Sequence, residues 1–327
     1  MMSNIFLAKK KTTPLFAIGS PASILAATAL GVALITPPLS PVFAQEKVGQ
    51  ESGEQTRTDA NPFARFANHS TDSRAAINYD QVDDFIEAVS VRSRGRTKFR
   101  YAILRDAGGP YLDQFIDFLE ARDPAIFSKD EQLAYWLNLH NLLVLSAITT
   151  DAPGKSLERF RGTPANPGAG WTKKRVTVAG VALSLADIED KIILAHWPDA
   201  TSLYGLYQGA RGGPAYPPKS FTGTTVVTQL AEAAGTTINR RGTLSIKKDV
   251  LSVPAYFAWY GPTVFGDDEA GYRAHILDHA DEKLAAKVRA TTQIKVKKFS
   301  YRLEDEIVRA QQPLNGSLNS GGGVTGS

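Results

Sequence analysis

Asn138, His140 and Asn141 stand in the middle of Leu-Ala-Tyr-Trp-Leu-Asn-Leu-His-Asn-Leu-Leu-Val-Leu-Ser-Ala-Ile, residues 133–148, a run that is apolar on nearly every face. A helix hydrophobic all round is buried, and a buried amide without a partner costs about 1–3 kcal/mol. These side chains therefore either brace a neighbouring loop through side-chain to backbone bonds or contact a ligand, with His140 read as a satisfied core or boundary histidine. Glu189 is the candidate acid or base. It lies two positions after Asp187 in the first turns of a helix, so the two carboxylates face different ways, and support of the helix dipole is their ordinary role. Should Glu189 be buried, its pKa would rise and it could work as a general acid or base.

Other groupings carry less chemistry. Gly205, Gly209, Gly212 and Gly213 with Arg211 could form an anion-binding concavity of backbone N–H groups. The spacing matches neither a Walker loop nor a dinucleotide fingerprint, and glycines that permit positive φ and close packing are the competing account. His275, Asp278 and His279 share one helical surface like half of a metal site, but no glutamate stands between the histidines and no third ligand is evident, so no metal is expected. Ser184, Ser202 and Ser220 stand in no nucleophile elbow. The chain has no cysteine, which excludes disulfides, thiolate catalysis and cysteine metal sites. No cofactor is expected.

Residues 1–44 read as a secretory signal, with Lys9, Lys10 and Lys11 as the charged region, an apolar stretch over 24–35 and a Val42-Phe43-Ala44 cleavage site. The apolar stretch is too short to span a bilayer, which takes about 20 residues, so cleavage is expected, with an uncleaved signal anchor as the alternative; no stable span is expected after cleavage and the destination is periplasmic or secreted. Three of the 37 basic residues lie in the signal, leaving 34 against 33 acids, a net charge of +1. That balance is no nucleic-acid footprint.

The elements that must position these residues follow from pattern. Residues 45–78 are polar, with Phe63 and Phe66 as possible anchors, and read as a linker or draped arm; the domain spans 79–310, and 311–327 is a Gly/Ser/Asn tail expected to be disordered. Val82, Phe85, Ile86 and Val89 mark one amphipathic helix and Tyr111, Leu112, Phe115, Phe118 and Leu119 another. Ser128-x-x-Glu131 is a capping box opening the apolar helix. Residues 175–183 alternate about Ala179-Gly180 like a tight hairpin, and Ser184 caps the next helix, whose apolar side is Leu185, Ile188, Ile192 and Ile193. A helix over 226–234, a short strand at 243–246, one helix over 272–288 and a terminal strand at Ile294 and Val296 complete an α+β reading: a mostly helical single domain with a short hairpin and small sheet.

Taken in order, these blocks resemble the exported bacterial proteins of domain-of-unknown-function family 547. The resemblance rests on Trp136, Asn138 and Asn141 in a Trp-x-Asn-x-x-Asn helix, then on Val176, Val178, Ala179, Gly180, Leu183, Ser184, Leu185, Asp187, Ile188 and Glu189, and finally on Trp259, Tyr260, Phe265 and Gly266. It covers residues 79–300. The family's next block, similar to His-Tyr-Ala-Leu-Asn-Cys-Gly/Ala-Ala/Ser-x-Ser-Cys-Pro, is met here by 203–214. Leu203 stands at the His position, Tyr207 at the Asn, Gln208 and Gly213 at the two Cys and Gly212 at the Ser. A Cys–His pair needs thiolate and base within hydrogen-bond reach, and neither is present at those positions.

Three readings follow. The first is an exported, catalytically degenerate relative that serves the cell envelope as a binding or accessory protein, its partner a small molecule or an envelope protein. The second is a hydrolase or transferase using Glu189 with Asn138, Asn141, Tyr207 or Arg211; Gln208 and His140 belong to the same cleft or loop-bracing set. The third is a structural envelope protein whose pocket is filled by Tyr204, Tyr207 and Trp259.

Overall fold

The computed structural model describes residues 61–151, 153–266 and 269–306; the expected signal and tail lie outside them. The helix Lys129–Asp151 is the axis of the fold, and its residues 131–145 are buried without a break. Such a helix cannot present a polar face to water, so its neighbours must enclose it. The amphipathic helices Asp80–Val89 and Gly109–Glu120, the segment Asp187–Ile193 and the helix Val226–Asn239 pack round the same core. The architecture is α+β and mostly helical, with its strands in small separate sheets.

The hairpin Val176–Val178/Val181–Leu183 turns on Ala179 at φ 48° and Gly180 at φ 83°, the paired positive values of a type I′ turn. The largest sheet has three strands, Ser245–Lys247, Val250–Val253 and Gln293–Val296, the last two parallel in the register Leu251 to Ile294. Residues 301–306 then form a strap. It makes isolated bridges to Phe99, Ser156 and Ala210, and Glu304 ion-pairs with Arg96, which itself donates to the Gly213 and Ala210 carbonyls.

From Asn61 onward the polar stretch lies against the domain as an arm: Phe66 is buried edge-on against Trp136 at 4.9 Å, and Gln132 donates to the Asn68 carbonyl. One ring docked on the core outweighs the polar composition around it. The single helix expected over 272–288 is two, Glu269–His279 and Glu282–Arg289. Asp281 caps the second by accepting from Leu284 N, while Asn239 holds the break by donating to the His279 carbonyl and accepting from Asp281 N. The capping box at Ser128 is half formed. Ser128 Oγ accepts from Glu131 N, but the Glu131 carboxylate turns away to accept from Ile77 N and Gly223 N, stitching the arm and a distant loop to the helix entrance.

Candidate functional site

Asn138 and Asn141 each grip a backbone segment with both ends of the amide. Asn138 donates to the Phe221 carbonyl at 2.8 Å and accepts from Phe221 N at 3.0 Å; Asn141 donates to the Gly205 carbonyl at 2.9 Å and accepts from Tyr207 N at 3.0 Å. The glycines let the loop come this close. A Cβ on Gly205 would stand 2.8 Å from a Leu230 methyl, and one on Gly209, held at φ 67°, would stand 2.4 Å from Ile148 Cδ1. Asn141→Ala strands one carbonyl and one amide in the core and is expected to cost about 1–3 kcal/mol, read as a shift of the urea midpoint. An unchanged midpoint would mean that the loop holds itself in place.

Glu189 enters the core from the segment Asp187–Ile193, which has the wide turns of a π-helix, a form frequent at functional sites. Ser184 and Asp187 cap its start reciprocally, Asp187 N donating to Ser184 Oγ and Ser184 N to Asp187 Oδ2. The Glu189 side chain is 2% exposed. Its Oε1 accepts from His140 Nε2 at 3.0 Å, Trp171 Nε1 at 3.1 Å and Gln208 Nε2 at 2.7 Å. Its Oε2 accepts from Tyr260 OH at 3.0 Å and faces the Arg161 guanidinium at 3.5 Å. A carboxylate offers about four lone-pair sites, so this one is saturated by the protein.

Burial alone would push the Glu189 pKa up, but the Arg161 charge and the hydrogen bonds and charge of His140 outweigh it and hold the carboxyl down at about 2. The expected rise with burial is therefore reversed, because the carboxylate is buried with its cations rather than among apolar groups. Asp190 next door goes the other way: burial and the Glu189 charge push it up to about 6. His140 is also pinned. Asn141 Oδ1 must be the acceptor, since Tyr207 N donates to it, and His140 Nδ1 lies 3.1 Å from that same oxygen. With Nε2 facing the Glu189 carboxylate, both ring nitrogens meet oxygens of the network. Arg161 closes the network, donating from Nε to Gln208 Oε1 at 2.6 Å and from Nη2 to Tyr260 OH at 2.8 Å, with its guanidinium 5.3 Å from the Trp171 ring and 4.7 Å from the Trp259 ring.

The structure thus brings His140, Asn141, Glu189 and Gln208 together. Asn138 braces Phe221 instead. The Tyr207 ring turns away to Phe99 and Tyr216, and Arg211 is exposed at a separate cavity. Arg161 and Trp171 were not singled out from the sequence, and Tyr260 only within the Trp259-Tyr260 block that carries the resemblance; an arginine beside Gly162, in a Pro/Gly-rich stretch, was the visible cue for the first. His275, buried, stacks on Tyr204 at 5.6 Å and meets its hydroxyl through Nε2 at 2.9 Å. Among the described residues no group of three or more His, Cys, Asp or Glu side chains could hold a metal ion, and no helix is long and apolar enough to cross a membrane.

Above the network, Trp259 also lines a surface cleft of about 820 Å³ with Phe299, Tyr301, Lys155, Lys297 and Arg302. Glu189 does not line that cleft.

Residues 124–236 match the model of a family described as Protein of unknown function, DUF547. No curated protein and no solved structure matches the chain. The matched span holds every member of the Glu189 network except Tyr260. Over that span the chain is similar to the DUF547 family, and the chain has no cysteine.

Proposed function

We propose that this chain is an exported cell-envelope protein that does no chemistry at the Glu189 centre and works by binding, as a catalytically degenerate or accessory member of its family. One observation carries the reading: the Glu189 carboxylate has both oxygens occupied by protein donors and is held ionised at about pKa 2. General acid–base work needs a group that reaches a substrate proton and titrates near the working pH. Glu189 meets neither requirement. Gln208, at the position where the family resemblance implies a cysteine, spends its amide on Glu189 and Arg161 and offers no nucleophile.

The test is native mass spectrometry on the protein drawn gently from its own envelope fraction. The expected result is a mature chain beginning at Gln45, carrying a bound species whose mass is stable on incubation. Recovery from the cytoplasm with the N-terminal segment intact overturns the export reading. Conversion of the bound species over time, abolished by Glu189→Gln, overturns the non-catalytic one.

A hydrolase or transferase remains the second reading, supported by the position of Trp259. That single ring lies between Arg161 and the cleft, so its rotation would bring solvent to the network. Trp259→Ala would then raise turnover of the bound species, whereas on the first reading it weakens binding alone.

A further inference from the structure

A second cavity, of about 350 Å³, lies where the turn after the helix Val226–Asn239 meets residues 297–300, just before the strap, and the start of the helix Ala255–Val264. Arg96, Arg211, Arg240, Arg241, Lys297 and Lys298 line it, with no carboxylate among the lining residues. Only Arg96 is neutralised, by Glu304 behind it. None of the other five forms an ion pair among the described residues. Lys297 donates to the Gly242 and Thr243 carbonyls, which points its ammonium at the turn.

Three of the residues that line this one cavity each carry a buried polar atom without a hydrogen-bond partner: Arg240 (Nη1), Thr243 (Oγ1) and Tyr256 (OH). Buried polar groups in folded proteins are almost always paired, and each exception calls for a cause. Here all three can donate, and two of them are hydroxyls that turn to suit an acceptor. A guanidinium left unpaired beside another guanidinium is the costliest of the three to hold, and an anion would relieve it. Lone cationic side chains on a surface are solvated and imply nothing. Cations that line one concavity without acids, above donors that lack acceptors, are a different arrangement.

We propose that this cavity binds a small tetrahedral oxyanion, of the phosphate or sulfate class, free or as the terminal group of a small ester, through Arg240, Thr243 and Tyr256 with Lys297 and Arg241 at its mouth. The cavity shares Ala255, Lys297, Lys298 and Phe299 with the larger aromatic cleft, so an ester could lay its ring or chain along Phe299 and Trp259. The site shares no residue with the Glu189 network, and it stands or falls independently of the function proposed above.

The test is calorimetry and thermal melting of the full chain with inorganic phosphate, sulfate and glucose 6-phosphate, against sodium chloride and acetate at matched ionic strength. Saturable one-to-one binding of phosphate or sulfate is expected, and tighter binding of glucose 6-phosphate would identify an ester rather than the free ion as the ligand. Arg240→Met is expected to weaken binding by roughly 10- to 100-fold, the range for a hydrogen bond to a charged group, without lowering the melting temperature in chloride. A merely structural arginine would give the reverse, a lower melting temperature with affinity unchanged. Should Arg240→Met fail to fold, Thr243→Val and Tyr256→Phe, which remove one hydroxyl each, decide: loss of affinity supports the site and no change overturns it. Phosphate and sulfate effects no greater than those of chloride would overturn it outright.

Discussion

Glu189→Gln is expected to lower the free energy of unfolding by about 3–5 kcal/mol, the range for removing one partner of a buried ion pair. For a domain of this size that is a fall in melting temperature of roughly 6–20 °C. The cost comes less from a lost bond than from what stays behind. Arg161, 1% exposed, keeps its charge without a counter-ion, and the new amide presents two N–H groups to a shell made almost wholly of donors. Urea unfolding followed by tryptophan fluorescence reads the effect, since Trp171 is itself a donor to the carboxylate. Removing both charges in Glu189→Gln/Arg161→Gln is expected to be milder than the sum of the single changes, because neither ion is then stranded. A single-variant cost below about 1 kcal/mol would mean that the network is worth no more than an exposed pair.

Acid should reproduce that loss by protonation. The Glu189 pKa is held at about 2 in the folded chain against an ordinary 4.5. A depressed carboxyl stabilises the fold above its unfolded value, and that contribution fades as pH falls from about 4.5 towards 2. Its full size, set by the shift, is about 3 kcal/mol. Other groups titrate nearby: Asp190 is pushed up to about 6 by burial and the Glu189 charge, and His275 down to about 4 by burial and the charge of His279. The measurement is therefore the stability difference between chains with Glu189 and with Glu189→Gln, both carrying Asp190→Asn, from pH 6 to pH 2. It should be flat above pH 5 and shrink by most of its value below 4. A difference independent of pH over that range would show that Glu189 does not hold its depressed pKa.

The buried axis helix could be read from composition alone, because a run apolar on every face needs no knowledge of its partners. The hairpin was equally open, since Ala179-Gly180 between alternating residues asks for two positive φ angles and the chain supplies them. The burial of Glu189 was not read from the sequence, although its place on the helix hints at it. It lies four residues after Leu185 and four before Ile193, inside the apolar stripe, although its neighbours Asp187 and Asp190 make it look like one of a solvated acidic cluster. What spacing could not show is the company it keeps. Trp171 and Tyr260 reach it from 18 and 71 residues away, joined by no period or motif, and the direction of its pKa shift depends on Arg161 being there. The break near Ala280 escaped for a similar reason, as the local Asp281 cap was not read and the distant Asn239, which holds the interruption with it, cannot be read from spacing.

The strap over 301–306 has a bearing on when this domain can finish folding. Arg96 is made 208 residues before Glu304, and at about 5–20 residues per second it waits roughly 10–40 s for its carboxylate during synthesis. Phe99, Ser156 and Ala210 wait with it for their bridging strands. Until that last segment leaves the ribosome the nascent chain holds an uncompensated guanidinium and three open edges, so the finished fold is out of reach while the polypeptide is still growing.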